Sequence, residues 1–298
     1  MSSVRDWLGD ALGAVLDSRA GDLVTQAREE VRAGPTAVRF GALLGRVGQA
    51  VRGVSLDLGA TPAPLEHLAG WQVQRWTAVD AARNHLVLEL AGLDQPEGAQ
   101  ILEEAFRYAD EGELVSLYRG LFLAPTPERF LWRAGEGART NMLSVFEAVV
   151  CDGPYPVRHF DDLAWKQALL KSLFVGAKLS DVHGIDSRLS PDLSRMALDY
   201  ADERRSAKRS VPSELWMLLG TGGGQRAVDS LMAELASHSE SARGGAILGL
   251  ARAGQVSSAN GALEGDQSEP LRTLLQPLLG GDNPPTSAAY AGLAVLSS

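Results

Sequence analysis

Cysteine, lysine and strand-like segments are all scarce in this chain of 298 residues. With Cys151 alone no internal disulfide is possible, which fits a reducing compartment and predicts a cytoplasmic location. A lone cysteine can be a nucleophile, but as a small buried hydrophobe it needs no chemistry. No run of about 18 uncharged apolar residues exists, so no transmembrane helix is expected. Residues 1–20 carry Arg5, Asp6, Asp10, Asp17 and Arg19 among their apolar positions, unlike a signal peptide. Positive charge is short overall. A formal net charge of −9 argues against a nucleic-acid partner, which needs a net basic face, though a small basic pocket is compatible with it. Alternation of period two is confined to Val54, Leu56 and Leu58, a short Gly-flanked run that reads as a linker. CxxC, HExxH and Gly-x-Ser-x-Gly are all missing. The run Gly220 to Gly224 lacks the Gly-Lys-Ser/Thr ending of a phosphate loop. Asp161 and Asp162 begin an aspartate-rich pattern, but Trp165 stands where a third acid belongs.

What the chain does have is helical periodicity. Val4, Trp7, Leu8, Ala11, Leu12, Val15 and Leu16 form an apolar stripe. Thr77 with Asp80 reads as a capping box. Thr126-Pro127 and Ser190-Pro191 each place a capping residue before a proline suited to a first helical turn, and Val211-Pro212 prepares another start. Ala227, Leu231 and Leu235 lie on one helix, and Ala242, Ala246, Ile247 and Leu250 on the next, which ends at Gly254. These patterns predict an all-α protein of stacked antiparallel helical hairpins, an α-solenoid or HEAT-like superhelix. Composition divides the chain into an N-terminal helical segment 1–60, a core 61–220 denser in aromatics and motifs, and C-terminal HEAT-like helical pairs 221–298. Asn283-Pro284-Pro285 predicts a loosely ordered tail before a last short helix.

Polar residues concentrate between positions 139 and 209, where all four lysines fall (Lys166, Lys171, Lys178 and Lys208). A helix predicted over 162–175 is apolar nearly all round and therefore expected to be buried. Gln167 and Lys171 share one of its faces. A buried lysine needs a carboxylate partner or loses its proton, so Lys171 reads as an anion ligand or a lowered-pKa base. Alternatively its ammonium snorkels to the surface. Asp161 is placed to cap this helix. His159 offers a proton shuttle or metal ligand, or a simple loop hydrogen bond. The segment 183–188 brings His183, Asp186 and Arg188 within six residues. Asp199 and Glu203 project four apart on one helix face, either as half of a carboxylate metal site or as ion pairs with nearby arginines, among them Arg204.

The motifs Arg139-Thr140-Asn141, Pro154-Tyr155-Pro156 with His159-Phe160, Trp165-x-Gln167-x-x-x-Lys171-x-x-Phe174, Gly184-Ile185-Asp186-x-Arg188, Asp199 to Arg204 and Glu214-Leu215-Trp216 occur in one order. In that order they resemble the EboA family, from Trp76 to about Leu218. Two departures are Asp152-Gly153, where family members tend to have Asn, and Arg204-Arg205-Ser206 in place of a longer Arg-Trp stretch. The resemblance implies a bacterial gene cluster. Its other members are a TatD-like metal hydrolase, a UbiA-like prenyltransferase, a sugar-cyclase-like enzyme and an isomerase-like enzyme. The family is associated with making or moving secondary-metabolite precursors. It implies a pathway and names no reaction or cofactor.

Three functions follow as expectations. The first is a helical binding or scaffold protein that holds an anionic pathway intermediate, or docks other proteins of the cluster. Its candidate ligand residues are Arg139, Asn141, His159, Gln167, Lys171, Asp186, Arg188, Asp199, Glu203 and Arg204. The second is a divergent metal-dependent or acid-base enzyme using His159, Asp186, Asp199 and Glu203. The third is a purely structural, partner-binding solenoid whose polar residues only brace its loops.

Overall fold

A computed structural model describes residues 3–59, 69–281 and 283–296. The expected boundary at 60/61 falls outside them. Every regular element among the described residues is helical, as the periodicity predicts. The chain divides into two units, residues 1–164 and 165–298.

The first unit contains α1 (Val4–Val15), α2 (Ser18–Arg32), α3 (Ala37–Ala50), α4 (Ala78–Val87), α5 (Pro96–Tyr108), α6 (Glu111–Gly120), α7 (Leu131–Arg139), α8 (Leu143–Val150) and the short α9 (Tyr155–His159). Helices two apart in sequence pack together, α3 on α5, α4 on α6 and α6 on α8. Such pairing is compatible with a helical superhelix. The Thr77–Asp80 capping box forms as expected. Thr126 behaves differently: a 3-10 turn follows at Pro127–Phe130, and the Thr126 hydroxyl makes no capping bond. The centre of the unit is α4, surrounded by α1, α2, α3 and α6. Nearly all of it is buried, including Asp80, Arg83, Asn84 and His85. Helix α6 approaches it so closely that a methyl group on Gly120 would collide with the Asn84 side chain. The Asn84 amide nitrogen uses this closeness to donate to the carbonyls of Asp80 (3.0 Å) and Ser116 (2.8 Å).

The second unit takes in most of α10 (Asp162–Val175), then α11 (Pro191–Ser206), α12 (Gly224–Glu234), α13 (Glu240–Arg252), α14 (Val256–Gly265) and α15 (Glu269–Leu279). Ser190 caps α11 and Asp161 caps α10, both as expected. Helix α13 is the hub, packing on α12, α14, α15 and two 3-10 stretches, Ser213–Leu218 and Ser287–Leu296. The last stretch is the short helix expected after Pro285, and it is held in place: Tyr290 is buried and donates to the Gly245 carbonyl at 3.3 Å. One expectation is corrected at α10. Its apolar residues do not bury it on every side, because Phe174 is 75% exposed while Trp165, Ala168 and Leu169 are buried. Lys171 is accordingly half-buried.

Candidate functional site

Buried charge in the first unit lies outside the polar block 139–209, apart from Asp152. Asp152 is fully buried and holds two guanidiniums, accepting from Arg75 Nη1 and Arg119 Nε at 2.7 Å each. Arg119 reaches on to Asp80 at 2.8 Å. Asp80 also accepts from the hydroxyls of Thr77 and Ser116, each at 2.8 Å. Burial opposes the charge on Arg119, but Asp80 and Asp152 outweigh it and its pKa rises. These three residues are therefore mutually satisfied.

Arg83 is not. It is 7% exposed. Its Nη1 donates to the Gly112 carbonyl (2.7 Å) and Ser116 hydroxyl (3.2 Å), and its Nε to the Leu44 carbonyl (3.3 Å). Its Nη2 makes no hydrogen bond among the described residues, and the Glu113 carboxylate stands 3.9 Å away. Burial, helped by the nearby Arg52 charge, pulls the Arg83 pKa below its ordinary value despite the opposing acids. The Arg52 side chain is exposed and has no ion-pair partner among the described residues. Gly48 makes room for the guanidinium, since a methyl group there would lie 2.7 Å from Nη2. Around these groups opens a cleft of about 520 Å³, lined also by Thr77, Ser116, Asp110 and Glu111. Its size suits a small-molecule ligand. With Asp80, Arg119 and Asp152 internally paired, Asp110 capping α6 and Glu111 accepting from the Ser144 hydroxyl, Arg83 and Arg52 remain to meet a ligand.

A second ionic cluster in this unit is closed. Glu89 accepts from both Arg28 and Arg32. Burial raises its pKa, but these hydrogen bonds win and hold it at about 2. His85 lies 3.7 Å from that carboxylate with neither ring nitrogen hydrogen-bonded. Burial first, and then the Arg28 charge, push its pKa down to about 4.

The sequence-predicted residues fall in both units. In the first unit Arg139 is exposed and paired with Glu136. Asn141 is exposed with no side-chain hydrogen bond among the described residues. His159 stacks on Tyr155 at 4.7 Å, and burial lowers its pKa. In the second unit Gln167 and Glu203 are exposed, and Arg188 covers the Trp165 ring at 5.0 Å. Asp186 binds Arg252 (2.8 Å) and the backbone and hydroxyl of Ser287. Asp199 pairs with Arg195 and Arg226, and Arg204 donates to the Ser210 carbonyl. Asp199 is thus an ion-pair residue, and a metal there would have to displace two arginines. Among the described residues no three His, Cys, Asp or Glu side chains gather to hold a metal.

The cleft residues Arg52 and Arg83 carry no motif in the sequence, and Asp80 reads there only as a capping residue. The signal available was polar residues recurring every three or four positions through an otherwise apolar helix (Asp80, Arg83, Asn84), the mark of a buried polar face.

No helix among the described residues is long and apolar enough to cross a membrane. No curated protein and no solved structure matches the chain. The profile of the family described as metabolite traffic protein EboA matches residues 4–220, nearly three-quarters of the sequence and the whole of the cleft. The chain belongs to the EboA family.

Proposed function

We propose that this protein is an accessory binding protein that holds an anionic small-molecule intermediate of a secondary-metabolite pathway, with the first-unit cleft as its site. One observation carries the reading: a buried guanidinium, Arg83, keeps one nitrogen free of hydrogen bonds among the described residues, its nearest carboxylate 3.9 Å away, at a cleft that the exposed Arg52 also lines. A buried charge short of a close partner is costly, and a phosphate or carboxylate bridging the two arginines removes that cost. The family's description as a metabolite traffic protein agrees with a carrier or holder rather than with a particular reaction. Methyl phosphate and acetate titrated by calorimetry test it. At least one of them binds the wild type saturably, and Arg52→Ser weakens that binding roughly tenfold, the loss expected for one charge-assisted hydrogen bond. Equal affinity in both proteins removes the site from the cleft.

The motif residues support a second, complementary role in docking partner proteins. Gln167 and Phe174, seven apart on α10, share a face, and Phe174 is 75% exposed there. Asn141, Gln167 and Glu203 make no side-chain hydrogen bonds among the described residues, so they are available to another molecule.

A further inference from the structure

Next to this cleft lies an apolar groove of about 430 Å³ between α3 and α5, also within the first unit. Ala37, Gly41 and Ala42 line it from α3, and Ala105, Tyr108 and Ala109 from the far wall. Tyr108 is 76% exposed and Val38, on the opposite lip, 82%. Two such side chains standing free on either side of a floor of small residues leave apolar surface uncovered.

The groove and the cleft are neighbours. Leu44 lines the groove, and its carbonyl accepts from Arg83. Glu113 lines the groove and stands 3.9 Å from the Arg83 Nη2. Glu113 lies over Gly45, where an added methyl would be 3.4 Å from its carboxylate. Positions 37, 41, 45 and 48 recur at helical spacing, so one face of α3 leads from the groove past Glu113 to Gly48 beside Arg83, and Arg52 follows just past the helix end. From Gly41 to Gly48 this face rises about 10 Å.

Charge fixes the polarity of any occupant. Glu104 lines the groove and not the cleft and repels an anionic head from the groove, whereas Glu113 stands between the two, 3.9 Å from the Arg83 Nη2. Arg83 and Arg52 attract that head at the other end. We infer that the ligand is an amphiphilic anion, whose phosphate or carboxylate head sits on Arg83 and Arg52 and whose apolar body lies in the groove of Ala37, Gly41 and Tyr108. This rests on the cleft reading and adds the chemical class of what the cleft holds.

A series of methyl, butyl and octyl phosphate, titrated calorimetrically below micelle-forming concentrations, tests it alongside 1-octanol. Each methylene that enters the groove raises affinity by about two- to fourfold. Octyl phosphate therefore binds more tightly than butyl phosphate by a factor of at least about 15, and octanol binds far more weakly than octyl phosphate. Gly41→Leu fills the groove where an added Cβ meets nothing within 4 Å. It removes the dependence on chain length while its thermal unfolding midpoint stays at or above that of the wild type. Equal affinity for methyl and octyl phosphate overturns the amphiphile inference and leaves the cleft reading intact. Binding of octanol as tight as that of octyl phosphate overturns it too, because the arginines then contribute nothing. A chain-length dependence that survives Gly41→Leu puts the tail elsewhere and also overturns it. No binding by any phosphate ester removes the phosphate head and this inference with it, and the acetate titration then decides the cleft reading separately.

Discussion

Replacing Asp152 by alanine removes the one carboxylate shared by Arg75 and Arg119. Asp152 is fully buried, and both its bonds are 2.7 Å long and charge-assisted. Each such bond contributes about 1.5–3 kcal/mol to stability. Arg119 keeps Asp80, so its charge is not wholly uncompensated. The net loss is therefore about 3–5 kcal/mol, the range for breaking a buried pair from one side. Asn at this position also destabilises: one amide oxygen still accepts, but the NH2 group faces the other guanidinium, donor against donor. Urea unfolding followed by circular dichroism measures the effect. With a slope of about 2 kcal/mol/M, Asp152→Ala lowers the midpoint by roughly 2 M. Arg119→Met costs less in the Asp152→Ala background than in the wild type, because one of its two ion pairs is already gone there. A midpoint shift below about 0.5 M for Asp152→Ala, or strict additivity of the two substitutions, refutes the claim that this carboxylate organises the interior of the first unit.

Three further outcomes are expected. The folded protein keeps His85 neutral, with a pKa of about 4 against an ordinary 6.5, so the unfolded chain binds the extra proton. This contribution is complete well above pH 6.5 and lost as pH falls toward 4; about 1.6 kcal/mol disappears between pH 6.5 and 5, and His85→Leu removes that part of the slope in urea melts run at the two pH values. Asp186→Ala leaves Arg252 without a carboxylate and unpins Ser287. The partly exposed pair is worth about 2 kcal/mol, and limited proteolysis then cuts first around residues 283–296. Gly48→Ala places a methyl 2.7 Å from the Arg83 Nη2 and displaces the guanidinium, weakening binding of methyl phosphate. Its effect on stability stays within about 1 kcal/mol, because the helix gains propensity as the contact is strained; calorimetry and a thermal melt separate the two effects.

The helices were legible because their signals are local. The bounds of α10 and the caps at Thr77, Ser190 and Asp161 depend on neighbours within a few residues. The burial of α10 was not, since it is set by whatever the fold lays against each face, and nothing covers Phe174. The same limit applies to the site. Asp186 reads as a free acid in a polar loop, yet its partners, Arg252 and Ser287, lie 66 and 101 residues further along the chain. Arg83 reads as one arginine among many until the fold encloses it. Only then do its close carbonyl partners, and a carboxylate no nearer than 3.9 Å, single it out.

Native mass spectrometry of the wild type and of Arg83→Met, both purified from the original host under gentle activation, tests the central claim most directly. Met keeps an apolar stem of similar length and removes the charge. The account predicts a bound organic anion on the wild type that is absent from Arg83→Met while the variant retains its compact charge-state distribution. The same adduct at the same occupancy on both proteins would contradict it.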